Sequence, residues 1–382
     1  MHRNAIYLLL LIVMGLVTLG VVMLFSTSAF ALESHGDMYF FVKRQAMWLG
    51  VAVVAGTLAA GIDYQWWKKL WWVFFAASVV LLILCYIPPI GMRINGSHRW
   101  INIGIGVFQP SELAKLGAIF FVAWWFEKYA SQSHTLLKGF VYPMAIVCIL
   151  LGLIAPQQDL GYTALIGATV ITMMFVAGMR LRWLAPFAII GVCGIIYLAT
   201  HIDERRDRLL AFMNPEKYEQ SDGYQQLQGL IAIGSGGIDG RGLGEGRQKR
   251  LYLPYAHTDF IFPMIGEELG LRFTLLTVIG YLLLCLCGTL VAANARDRFG
   301  MLLGFGCVVI ITLQSIVNIG VTTSLLPNKG MPLPFISFGG SNLVICFFML
   351  GILVNIHRHG NPLVGAAPER FARIHSHTRS RL

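Results

Sequence analysis

The sequence predicts an all-α polytopic membrane protein: ten transmembrane helices with a large extracytoplasmic loop between helices seven and eight. Three observations carry that expectation. Of 382 residues, 56% are apolar and only 13% charged, against about 25% charged in an average soluble domain, so a water-soluble fold would lack the polar residues to cover its surface. The apolar residues come in continuous runs near the 20 residues that cross a bilayer as a helix. They do not alternate over segments of about ten, which excludes a transmembrane β-barrel. The basic residues of the short connections fall mostly in alternate loops, as a positive-inside topology requires.

The spans fall at about 5–30, 42–61, 70–88, 110–126, 137–155, 160–178, 184–200, 271–294, 301–322 and 339–356. The first opens like a signal peptide, with His2 and Arg3 ahead of Leu8 and Leu9. It stays apolar as far as Phe25, beyond the length of a signal-peptide core, and is read as a retained span. Pro110 suits the first turn of span four, with Gln109 or Ser111 as its cap. A turn of a few residues around Asp159 joins spans five and six. Three prolines and three glycines between Pro327 and Gly340 make a stiff, non-helical connection before span ten.

With a cytoplasmic N-terminus, the inside segments hold fourteen basic residues: Arg3, Lys68, Lys69, Lys128, Lys138, Arg180, Arg182, Arg296, Arg298, Arg358, Arg370, Arg373, Arg379 and Arg381. The short outside segments hold five: Lys43, Arg44, Arg93, Arg99 and Lys329. Both termini are therefore expected in the cytoplasm. The formal charge of +10 is explained by this bias and by a basic tail over 357–382 that anionic lipid attracts; no nucleic acid is called for. The whole chain, 1–382, reads as a single membrane domain. One connection is out of scale: residues 201–270 form an outer loop carrying 11 of the 19 acidic residues. Its aromatic residues, among them Tyr252, Tyr255, Phe260 and Phe262, point to a folded, functional segment. All seven cysteines lie inside apolar spans, and none has the spacing of a thiolate metal site.

Ionisable groups at or near helix depth cost about 2.5 to 3.5 kcal/mol each unless paired or watered. They stand in four places, all on the outer half. Glu112 and Lys115 are three apart on one face of span four, either a self-neutralising pair or the charged wall of a cavity. Asp159 either caps span six or shapes an outer pocket. Asp259 adjoins the apolar run 260–265, too short to span and of the kind found in re-entrant or interfacial segments. It either caps the following helix or, partly desolvated, serves as a general base. Lys329 is an anion-facing cation or an ordinary surface lysine. The alternating glycines 240, 242, 244 and 246 lack the strand, turn and helix of a nucleotide site. No nucleophile elbow or zinc pair accompanies His257.

These segments, in this order, resemble the SEDS family of bacterial cell-wall proteins, which includes RodA, FtsW and SpoVE. The similarity runs through residues 97–100, 108–115, 157–161, 206–215, 223–237, 257–270 and 326–341. Within the family the sequence leans to the FtsW branch: Leu326, Pro327, Asn328, Lys329, Gly330 is similar to its Leu-Pro-Thr-Lys-Gly, while Asn328 and Phe338 depart from the usual Thr and Tyr. The resemblance implies a peptidoglycan glycosyltransferase of the bacterial cytoplasmic membrane, acting in cell division. It would join lipid II units on the outer face, with the GlcNAc 4-hydroxyl attacking MurNAc C1 and undecaprenyl diphosphate leaving. Inversion needs one carboxylate base and cations, or a divalent metal such as Mg2+, at the diphosphate. Asp259 matches the family's proposed catalytic aspartate. Glu112, Lys115 and Asp159 match other required positions, and Arg99, Arg206, Arg208 and Lys329 are candidates for the diphosphate. The implied partners are undecaprenyl-linked glycan, a class B penicillin-binding protein transpeptidase and other divisome proteins.

Three alternatives stay open at this level. An elongation-type polymerase differs from a division-type one only in branch. A lipid II flippase would expose polar groups through the full bilayer depth, whereas the inner halves of these spans are nearly uncharged. A scaffold would not need the outer carboxylates.

Overall fold

The computed structural model describes residues 2–28, 37, 39–88, 90–94, 97–104, 106–201, 206, 210, 212–213, 223–249, 253 and 256–360. Helices dominate them: α1 (His2–Ser28), α2 (Phe40–Gly61), α3 (Tyr64–Leu84), α4 (Pro110–Lys128), α5 (Tyr142–Ile154), α6 (Leu160–Val176), α7 (Leu181–His201), α8 (Tyr224–Gly236), α9 (Ile261–Ala293), α10 (Arg298–Thr322) and α11 (Gly340–His359). Six helical stretches, Asn4–Ser28, Tyr64–Leu84, Leu137–Gln157, Ile261–Ala293, Arg298–Thr322 and Gly340–His359, are long and apolar enough to cross a membrane. The protein is thus a multi-pass, mostly helical membrane protein. Residues 361–382, most of the basic tail, lie outside the described residues, as do Tyr252, Tyr255 and Arg208.

The helix starts follow from local chemistry. Asp63 accepts from Gln65 N at 3.0 Å, so α3 begins at Tyr64 instead of at 70. Pro110 does occupy the first turn of α4, but neither expected cap forms. Gln109 makes no capping bond there, and the buried Ser111 hydroxyl has no hydrogen-bond partner among the described residues. Residues 114–123 of α4 are almost all fully buried. Packed by α3, α5, α6, α10 and α11, α4 is the central post. The large exposed apolar side chains, such as Leu11 and Met14 on α1 or Leu276 and Leu282 on α9, face outward, as lipid-facing positions do.

An all-α architecture does not hold. Between α3 and α4 a small antiparallel sheet forms from β1 (Gly91–Ile94), β2 (Ser97–Asn102) and β3 (Val107–Phe108). Arg93 is paired with His98, and Ile101 with Phe108. Strands of four, six and two residues are too short to announce themselves as an alternating pattern. Ser97 Oγ donates to Gln157 O at 2.6 Å, which ties this sheet to the turn between α5 and α6.

The start of α9 also differs from expectation. The apolar run after Asp259 forms the first turns of α9, which starts at Ile261, ahead of the 271 expected for span eight, and breaks at Gly270 (φ 77°, ψ −173°). A left-handed φ of this kind favours glycine. At the break the backbone exchanges partners. The carbonyls of Glu267 and Glu268, which an unbroken helix would offer to residues 271 and 272, accept from Arg241 N at 2.9 Å and Gly242 N at 3.0 Å. Leu271 N turns to Gly237 O at 3.0 Å. The glycine-rich segment after α8 thus supplies partners for backbone groups freed at the kink, as burial demands.

Candidate functional site

A cavity of about 300 Å³ opens where α2, β2, the turn before α9 and the start of α11 converge. Its lining includes Arg44 and Trp48 of α2, Arg99 and Trp100 of β2, Gln109, His257, Asp259, Gly330, Phe338 and Asn342.

Asp259 stands on a turn whose backbone is pinned residue by residue. His257 O accepts from Phe338 N at 3.0 Å, Thr258 O from Ser337 Oγ at 2.6 Å, and Asp259 O from Asn318 Nδ2 at 2.8 Å. The residue therefore does not cap α9; the capping position belongs to Phe260, which makes no capping bond. Its carboxyl is half-buried, and desolvation pushes its pKa up from 3.8 to about 6, with the Arg99 charge pulling the other way. Among the described residues nothing donates a hydrogen bond to the carboxylate oxygens. Gly330 lies against them: a Cβ there would sit 2.6 Å from Asp259 Oδ2. His257 is buried, its ring centroid 4.2 Å from Phe41 and 6.1 Å from Phe338. Desolvation lowers its pKa to about 4, so it is neutral at physiological pH.

The other carboxylates already have partners. Asp159 is buried and caps α6, accepting from Tyr162 N at 3.3 Å and Gln109 Nε2 at 3.1 Å. Burial raises its pKa, while Arg99 and Lys329 oppose the shift. Glu112 and Lys115 form an ion pair at 2.6 Å with both side chains essentially inaccessible. Tyr162 OH and Asn342 Nδ2 donate to Glu112, and Lys115 Nζ donates to Gln314 Oε1 at 2.9 Å. The pair is not the cavity wall, because α6 and α11 close over it; it lies one layer behind, and Gln109 and Asn342 are the wall. Glu267 accepts from Arg247 N at 2.7 Å. Glu268 pairs with Lys249 at 2.7 Å and accepts from Ser26 Oγ and Gly244 N.

Arg99 joins the two aspartates: its charge acts on both Asp159 and Asp259, and its buried Nε has no partner among the described residues. Lys329 is half-buried and close enough for its charge to reach Asp159. Arg206 is exposed and is not among the lining residues, and Arg208 lies outside the described residues. Among the described residues, no three of His, Cys, Asp and Glu are gathered as a metal site.

Sequence reasoning missed Arg44, counted only as a topological charge, and three buried amides, Gln314, Asn318 and Asn342. The signal that could have found them is the one used for charges: an amide deep in an apolar span also needs partners.

Comparison with known proteins fits this geometry. Residues 7–361 match the model of the FtsW/RodA/SpoVE family, described as cell cycle proteins. A relative from Geobacter metallireducens, named probable peptidoglycan glycosyltransferase FtsW, is 40% identical over 349 residues, covering 91% of this chain and 93% of that one. Stage V sporulation protein E of Bacillus subtilis is 36% identical over 353 residues, covering 92% and 96%. Among solved structures, a chain of a peptidoglycan synthase complex that coordinates polymerization and crosslinking superposes with a TM-score of 0.76 at 26% identity, covering 93% of this chain and 98% of that one. RodA of Thermus thermophilus superposes with a TM-score of 0.65 at 26% identity, covering 92% and 95%. Both the sequence match along nearly the whole chain and the shared architecture lead to one conclusion: the chain belongs to the FtsW/RodA/SpoVE family, nearer to its FtsW members than to RodA.

Proposed function

We propose that the protein is a peptidoglycan glycosyltransferase that polymerises lipid II during cell division, with Asp259 as its general base. One observation carries this reading: of the acidic side chains around the cavity, Asp259 is the one to which no described residue donates a hydrogen bond. Asp159, Glu112, Glu267 and Glu268 are occupied. A base needs free lone pairs and a pKa near the working pH, and burial brings Asp259 to about 6.

In the proposed reaction the acceptor GlcNAc 4-hydroxyl attacks C1 of a donor MurNAc. Asp259 takes the hydroxyl proton, the new C1–O bond forms and the old one breaks, and undecaprenyl diphosphate leaves. An α-linked donor giving a β-linked product is a single displacement, which asks for no covalent nucleophile. Arg99 and Arg44 face the cavity and supply positive charge for the leaving diphosphate, with Lys329, Arg206 and Arg208 as further contacts on its approach. Glu112, Lys115 and Asp159 act on the substrate through Gln109 and Asn342. The topology that goes with this is ten spans with both termini in the cytoplasm of a bacterium, residues 201–270 outside, and the cavity at the outer leaflet, where a lipid-linked head group arrives. A class B penicillin-binding protein is the proposed partner, supported by the synthase complex whose chain this one resembles, and other divisome proteins complete the setting.

The test is reconstitution with labelled lipid II. Wild type yields polymer and Asp259→Asn does not. Transbilayer movement of lipid II without polymer would identify a flippase, and neither activity would leave a scaffold.

A further inference from the structure

The base is aimed through its backbone, and the element that aims it is α10. Gln314 and Asn318 are four apart, so they stack on one face of that helix, and both are about 1% exposed. Gln314 accepts from Lys115 Nζ at 2.9 Å and donates to Pro332 O at 2.8 Å. Asn318 gives both amide protons to carbonyls, Asp259 O at 2.8 Å and Met331 O at 2.7 Å. Met331 follows Gly330, whose backbone abuts the Asp259 carboxylate. One side chain therefore holds the base on two sides, at its own carbonyl and at the loop that limits where its carboxylate can swing.

The amide's other end shows how constrained this is. Asn318 Oδ1 is buried without a partner among the described residues, which is unfavourable by itself. Flipping the amide would set that oxygen against two carbonyl oxygens and lose both bonds. Only a group with two donors on one atom satisfies this site, and leucine or aspartate of similar size does not.

We infer that Asn318 is a positioning residue for Asp259, fixing the carboxylate against Gly330 by joining the Asp259 turn to the 330–334 loop, while Gln314 ties the same loop to the buried Glu112–Lys115 pair. This rests on the reading of Asp259 as the base. Misplacement of a reacting group by about 1 Å lowers rate by about a hundredfold, whereas binding of the substrate elsewhere in the cavity does not depend on this clamp.

The experiment uses full-length protein with lipid II and reads kcat, lipid II affinity and the pH profile of Asn318→Leu, with Gly330→Ala as a second probe that displaces the carboxylate from the opposite side. The expected result for Asn318→Leu is kcat lowered at least about tenfold, lipid II affinity within about threefold of wild type, and an acid limb displaced from its wild-type midpoint. Gly330→Ala lowers kcat and displaces the acid limb in the same way without touching Asn318. Wild-type kcat and acid limb in a folded Asn318→Leu overturn the inference, and so does a parallel loss of affinity and kcat, the mark of a merely structural role. If Asn318→Leu does not fold, Gly330→Ala decides, and an unchanged kcat overturns it. Asp259→Asn is run alongside: a polymerising Asp259→Asn removes the base reading itself, whereas an inactive Asp259→Asn with an unaffected Asn318→Leu removes only the positioning role.

Discussion

Asp259→Asn should make the protein inactive and more stable at once. In the unfolded chain the carboxyl ionises at its ordinary value of 3.8; in the fold desolvation moves it to about 6. The folded state then binds the proton more tightly, so stability falls as pH rises from about 4 to about 6 and stays lower above that window. At about 1.36 kcal/mol per pH unit the full shift from 3.8 to about 6 would be ~3 kcal/mol, and solvent screening of a half-buried carboxylate reduces the cost of keeping it ionised at pH 7.5 to roughly 1 to 2 kcal/mol. Asparagine has the same shape and no charge, so the variant escapes that cost at neutral pH and gains nothing at pH 4, where the wild-type carboxyl is already protonated. Unfolding midpoints of both proteins in detergent, measured from pH 4 to 8, should converge at the acid end and separate by several degrees at the neutral end. Polymer formation by the variant should be down at least about a hundredfold. A stability difference that does not change across the window would refute the burial argument, and with it the raised pKa that suits Asp259 to act as a base.

Wild-type turnover should fall as pH drops below about 6, and Arg99→Gln should move that limb to higher pH and raise KM, because the guanidinium opposes the desolvation of Asp259; an unmoved limb in pH-rate profiles would place Arg99 elsewhere. Glu112→Gln or Lys115→Met alone should each lower the unfolding free energy by about 3 to 5 kcal/mol, as an uncompensated buried charge does. The double variant should fold and still fail to polymerise lipid II; a double variant less stable than either single one would contradict this. For the topology, a cysteine at Glu245 should be labelled from outside intact cells and one at Ser131 only after permeabilisation.

The sequence made the site legible wherever a charge sat in an apolar setting. Asp259, Asp159, Glu112 and Lys115 were all visible by that rule, because a charge near hydrocarbon is expensive on any fold. What lay beyond it depended on neighbours far along the chain. Glu112 lies behind the cavity wall because Tyr162, 50 positions on, and Asn342, 230 positions on, close over it, and no local spacing encodes that. Asn318 carries no charge and passed as one polar residue in an apolar span. The small sheet was missed because its pairing depends on strands too short to show in composition, and the start of α9 because only the φ of Gly270 separates a short helix from the longer one that follows.

That exchange of backbone partners at Gly270 has a mechanical consequence. A continuous helix would pass any change of tilt straight to its end, so a bilayer thinner or thicker than the span would swing the Asp259 turn with it. Here the segment before the break is bonded to the glycine-rich segment at Arg241 and Gly242, so its direction is set there and not by the helix after Gly270. A change of tilt in the helix after Gly270 would then be taken up at that glycine, leaving the segment before it in place in bilayers of different acyl-chain length. Polymerisation rate should therefore vary little between phospholipids of differing thickness, and a Gly270→Ala variant, whose Cβ would meet the backbone of Ile238 and Gly240 at 2.4 Å, should disrupt this joint and make the rate sensitive to them.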